Sequence, residues 1–219
     1  NWCWCKLSNI SNIYTGNSIN ENEKKSQYTD VLGTEYIATK DVEFDNSINY
    51  KNGISIPEKY IKNFRIAPAN SVLMCIEGGS AGRKIGILSQ SVCFGNKLCC
   101  FSPYANDISS MYIFYYLQSP LFFEIFNSNK NGIIGGVSIN NLKKLLFPLP
   151  PLEEQKRIVE AIDKWFALID SIENNKADLE TTIKQTKSKI LDLAIHGKLV
   201  AQNPNDEPAS ELLKRINPK

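Results

Sequence analysis

The chain has 219 residues, 42% of them hydrophobic and 22% charged, which suffices for one domain with a substantial core plus an additional element. Its formal net charge is +2, and residues 1–150 carry 14 basic against 11 acidic side chains. Such a balance permits a nucleic-acid partner without demanding one, and no apolar run reaches the length of a membrane-spanning helix.

No signal peptide is visible, and the opening NWCWCKL begins abruptly inside a strand-like run, as a trimmed front would. Six cysteines (Cys3, Cys5, Cys75, Cys93, Cys99 and Cys100) sit among Trp, Val, Phe and Leu, with no C-x2-C pair and a single histidine, His196, far away. That pattern predicts buried thiols in a reducing cytoplasm and no metal site.

Residues 1–150 read as mixed α/β. Short β-type runs, WCWCKL, TEYIA, FRIA, SVLMCIE, KIGIL and KLCCF, are divided by Gly, Asn and Pro clusters. DISSMYIFYYLQ predicts a helix with Asp107 as its cap. SPLFFEIF predicts another, with Ser119 at the N-cap and Pro120 at the first helical position. VSINNLKKL predicts a short turn of helix capped by Ser138. The loop IEGGSAGRKIG falls short of a phosphate-binding loop, because three residues separate Gly78 from Gly82 and no Ser or Thr follows Lys84. It reads either as a strand–turn–strand connection or as a backbone nest with two cations for a phosphate.

FPLPPLEEQKRI marks a change of regime. Its prolines exclude helix and stiffen the chain; the next residues are strongly helical. Pro151 suits the first turn, Glu153 and Glu154 suit the positive end of the helix dipole, and Gly197 suits the position after the last turn. Ile158, Ile162, Trp165, Ile169, Ile172, Lys176, Leu179, Ile183, Thr186, Ile190 and Leu193 are spaced alternately by four and three, which is a heptad seam. The expectation is one helix from Glu153 to Ile195, about 65 Å long, too long for this domain to cover and therefore paired as a coiled coil. Lys176 and Thr186 are polar gaps in the seam. The tail after Gly197 reads as a polar linker and a short amphipathic helix around Leu212, Leu213 and Ile216, with Asp206 as a candidate cap.

No catalytic constellation emerges. His196 is the only possible imidazole base, and at a helix C-terminus it is better explained as a favourable cation.

The motifs FPLPPLEEQKRIVEAIDKW, ILDLAIHGKLV and NPNDEPASELLKRI resemble the conserved region of type I restriction–modification specificity subunits. NWCWCKLSNISNIYTG, EYIATKDV and VLMCIEGGSAGRKIGI are similar to segments of that family's target recognition domains. The resemblance implies an α/β (α+β) DNA target recognition domain over 1–150, a conserved coiled-coil spacer helix over 151–197, and a linker with a tail helix over 198–219. It implies a non-catalytic subunit that reads one half of a bipartite site on double-stranded DNA. The long helix would be an antiparallel ruler, so that deleting one heptad, such as residues 179–185, shortens the unread spacer. S-adenosylmethionine, ATP and Mg would belong only to the modification (methyltransferase) and restriction subunits. A complete family member carries two recognition domains and two helices, and here there is one of each. A half-subunit and a fragment are both open, and the exposed seam predicts a homodimer either way.

The candidate DNA contacts are Thr39, Lys40, Arg83, Lys84, Lys130 and Asn131. Glu154, Gln155 and Arg157 are candidates for holding a partner subunit, although Gln155 could equally bond back to the proline strap. The rival reading is a coiled-coil adaptor that binds no DNA.

Overall fold

The computed structural model describes residues 1–105, 107–132, 135–173 and 180–216. The chain opens with β1 (Cys3–Lys6), α1 (Leu7–Ile10) and β2 (Ser11–Thr15). Next come α2 (Glu21–Glu23), which runs into a π-helical turn, and β3 (Thr34–Ile37), β4 (Ser55–Ile56) and β5 (Ile66–Ala67). Strands β6 (Val72–Cys75), β7 (Ile85–Ile87), β8 (Val92–Phe94) and β9 (Leu98–Pro103) complete the sheets. Helices α3 (Ser110–Gln118), α4 (Pro120–Ser128) and α5 (Ile139–Leu142), strand β10 (Leu146–Leu149), then α6 (Leu152–Glu173), α7 (Glu180–Ile195) and α8 (Ala209–Ile216) follow.

Two four-stranded sheets stack. One is antiparallel, in the order β2-β9-β6-β7; the other has the order β4-β3-β8-β5, with β3 and β8 parallel. Strand β6 explains why VLMC is an unbroken apolar run. Val72 and Met74 face the helices, Leu73 and Cys75 face the second sheet, and all four are buried. The far face of the second sheet carries a smaller aromatic cluster of Tyr28, Tyr36, Tyr60 and Phe64. Burial pushes the Cys93 and Cys100 thiols up to about 11 and Cys5 up to about 12, so they stay protonated at neutral pH. Every cysteine is free, and among the described residues no three potential ligands cluster for a metal.

Several expectations meet their geometry. Ser119 caps α4 by accepting from the Phe122 amide, and Ser138 caps α5 by accepting from Asn141. Gly197, at φ 67°, ends α7 with Gly197 N donating to Ala194 O and Lys198 N to Leu193 O. This pair of bonds satisfies the last carbonyls only if one residue turns left-handed, which glycine does without strain.

Other expectations are corrected. Asp107 does not cap α3; Ser109, two residues later, does, and Asp107 instead pairs with Arg215 at 3.2 Å. Asp206 does not cap α8 but pairs with Arg157. The tail helix expected around Leu212, Leu213 and Ile216 is present as α8, and it docks on the domain: Ala209 and Leu212 are fully buried and the Ala209 amide donates to Asn1 O. The proline strap is itself a strand, β10, antiparallel to β1 with Trp4 opposite Pro148. A proline fits there because β10 pairs on one side only.

The largest correction concerns the long helix. A continuous rod would hold Asp170 and Lys187 about 25 Å apart. Instead Lys187 Nζ lies 3.0 Å from Asp170 Oδ1 and 5.5 Å from the Phe166 ring centre. Helices α6 and α7 therefore pack against each other, and both pack on α3. The reason is burial: Ile158, Ile162, Ile169, Ile183 and Ile190 all reach the main core, which an isolated rod would leave in water. Lys176 and Leu179 lie outside the described residues.

Candidate nucleic-acid interface

The loop between β6 and β7 is a hairpin connection. Ala81 N donates to Gly78 O, Gly82 N to Cys75 O, and Arg83 N and Lys84 N to Ser80 O. Those four amides are consumed inside the loop, so the strand–turn–strand reading describes it and a backbone nest does not. Gly82 has φ 74°, and a side chain there would meet the Phe126 ring at 2.8 Å.

Around this hairpin the fold gathers residues far apart in sequence. Lys84 Nζ donates to Thr39 O at 3.4 Å, lies 4.0 Å from Glu43 Oε2 and stands 5.0 Å over the Phe44 ring. Its side chain is only 12% exposed, so it braces the neighbouring loop more than it faces solvent. Lys130 Nζ donates to Ala81 O at 3.4 Å and sits 5.3 Å over Phe126. Arg83 is exposed, its Nη2 donating to Gly79 O. Lys40 is exposed in the 3-10 turn Thr39–Asp41, and Asn131 is exposed next to Lys130. Thr39, Arg83, Lys84 and Lys130 thus converge on one hairpin, with Lys40 and Asn131 adjoining in the chain.

Sequence reasoning missed a cleft of about 470 Å³ beside this group, walled by Phe44, Asn46, Arg83, Gln118, Phe123 and Lys184. Asn46 sits in a turn at φ 71° and donates through Nδ2 to Gln118 Oε1 at 2.9 Å. No spacing links Lys184 to Arg83; only the return of α7 across α4 does.

A match to the type I restriction modification DNA specificity domain covers residues 1–181. The chain belongs to this specificity family. It is 25% identical to the EcoAI specificity subunit of Escherichia coli over 98% of its own length and 43% of that protein's. It is 23% identical to the EcoKI specificity subunit of Escherichia coli K12 over 99% of this chain and 47% of the relative. The HsdS subunit from Thermoanaerobacter tengcongensis has the same fold, with TM-score 0.62 and 23% identity over 90% of this chain and 45% of that one. The chain spans under half the length of these relatives.

In this member of the specificity family, the residues expected to hold a partner subunit are engaged within the chain. Glu154 and Gln155 are buried. Glu154 Oε1 accepts from the Trp2 indole at 2.9 Å. Gln155 donates through Nε2 to Pro150 O at 3.1 Å and accepts from Ser109 N at 3.0 Å. Gln155 thus bonds back to the proline strap, and Arg157 holds Asp206 of the tail. Tyr112 adds a bond from its hydroxyl to Pro148 O at 3.0 Å, and Phe147 is wedged against the Tyr112 and Tyr116 rings. The segment PLPPLEEQ encodes this joint: each of its polar side chains that points inward satisfies a carbonyl, an amide or an indole. Among the described residues, no helix is long and apolar enough to cross a membrane.

Proposed function

We propose that the chain is the DNA sequence-recognition subunit of a type I restriction–modification complex, reading one half of a bipartite site on double-stranded DNA. The observation that carries this is the coincidence of the family match over 1–181 with cations drawn to one hairpin of that span. Exposed Lys40 and Arg83 meet phosphates, and Thr39 and Asn131 offer polar groups to base edges, while Lys84 and Lys130 hold the loops that present them. The subunit is non-catalytic and works in the cytoplasm. Methyl transfer from S-adenosylmethionine, and ATP- and Mg-dependent cleavage, belong to the modification and restriction subunits that it holds on DNA.

Two copies pair through the outer face of α6. Trp165, Leu168 and Ile172 are 46%, 51% and 42% exposed on one stripe of that helix, at the spacing of a coiled-coil seam. A two-fold pairing covers this stripe on both partners with the same residues. The spacer between half-sites is then set by α6, about 33 Å long, leaving a joint that its buried hydrogen bonds make stiff.

Methylome mapping in cells that express the chain with its modification subunit tests this reading. A bipartite motif with two-fold symmetric half-sites is expected. Absence of methylation, together with no duplex binding by the chain with or without that subunit, would leave the non-DNA adaptor.

A further inference from the structure

The cleft beside the glycine hairpin is built for more than a phosphate. Its walls combine two aromatic rings, Phe44 and Phe123, with two cations, Arg83 and Lys184, and carry no carboxylate among the described residues. Phe44 is 62% exposed, a costly place for an aromatic ring unless something covers it. The turn that presents it is braced. Glu43 N donates to Ser47 O at 2.9 Å, Asp45 Oδ1 accepts from Ser47 N at 2.9 Å, and Lys84 stands over the ring. Gly86 lets this turn approach β7, since a side chain there would lie 2.7 Å from Ile48 Cγ1. The floor is polar and oriented. Gln118 Nε2 donates to Phe114 O at 3.2 Å, which leaves Gln118 Oε1 to accept from Asn46 Nδ2. Asn46 therefore keeps its Oδ1 as an acceptor.

We propose that this cleft receives a single nucleotide lying outside the DNA stack, a step that rests on the DNA-reading function above. A base inside a duplex has both faces covered by its neighbours and has none to offer an aromatic wall. A displaced base has two. In the cleft it stacks on Phe44, its phosphate meets Arg83 and Lys184, and an exocyclic amine donates to Asn46 Oδ1. A volume of about 470 Å³ is ample for one nucleotide, and the braced turn means that little ordering is left to do on binding.

The test compares a short duplex carrying one bulged 2-aminopurine with the same duplex fully paired, titrated with the 219-residue chain at several salt concentrations. The bulged duplex should bind about tenfold tighter, with the probe's emission quenched by stacking. Phe44→Ala should bring its affinity down to that of the paired duplex, whereas Phe44→Trp should keep the preference. Arg83→Gln should weaken both duplexes and lower the salt slope by about one. Equal binding of both duplexes by the unaltered chain, or a preference that survives Phe44→Ala, overturns the stacking site and leaves DNA reading standing. If neither duplex binds, the DNA-reading function falls and this site with it.

Discussion

Helix α6 has two apolar faces with opposite fates. Ile158, Ile162 and Ile169 are buried in the main core, whereas Trp165, Leu168 and Ile172 face solvent. Five of these six belong to, and Leu168 lies beside, what reads in sequence as one seam. A heptad repeat says that a helix needs partners along a stripe. It does not say whether one partner covers the whole stripe or two share it. Here the chain supplies one partner itself, by returning α7 along α6, and the outer residues stay exposed.

That contrast can be broken at four places, in falling order of effect. Ile162→Ala on the inner face should cost about 2–5 kcal/mol, because a fully buried branched side chain leaves a cavity; chemical denaturation reads this directly, and a loss below about 1 kcal/mol would mean that the inner face is not packed as described. Gln155→Ala should cost about 1–3 kcal/mol, since it orphans the buried Pro150 carbonyl and the partly buried Ser109 amide. Amide exchange at Ser109 should rise in the same variant.

The third effect is alkaline. The Cys93 and Cys100 thiols titrate near 11 in the folded chain against 9.0 as the ordinary value. The unfolded chain thus releases protons first as pH climbs. Their contribution is intact below pH 9.0 and is lost between there and about 11, at up to about 1.4 kcal/mol per pH unit for each thiol. Denaturant midpoints measured across that window should fall, and Cys93→Ala should flatten the decline. The smallest change in stability belongs to Trp165→Ala with Leu168→Ala. Removing exposed side chains should move stability by no more than about 0.5 kcal/mol, while sedimentation shifts from dimer to monomer. A dimer that persists would place the pairing surface elsewhere.

The joint was partly legible beforehand. Three prolines in FPLPP rule out helix, but they do not say that Leu146–Leu149 pairs with Cys3–Lys6, because strand partners separated by most of a domain leave no local trace. Glu154 and Gln155 look like surface residues in any list of polarities. Only Trp2, Ser109 and Pro150, brought in from three directions, make them interior. At the candidate interface, the cations Arg83, Lys84 and Lys130 were recognisable by type, yet sequence could not distinguish Arg83, which faces solvent, from Lys84, which props up the next loop.

By itself, the sequence determined the strand-rich front, the caps at Ser119 and Ser138, the left-handed stop at Gly197 and the family, because each rests on short-range periodicity, on local hydrogen bonding or on a contiguous motif. Tertiary structure alone decided that the long apolar repeat folds back on itself, that the tail docks beside Asn1, and that Phe44, Asn46, Gln118 and Lys184 share a cleft with Arg83. Those outcomes depend on which distant surfaces bury the most apolar area and satisfy the most polar groups at once, and no window of the chain contains that comparison.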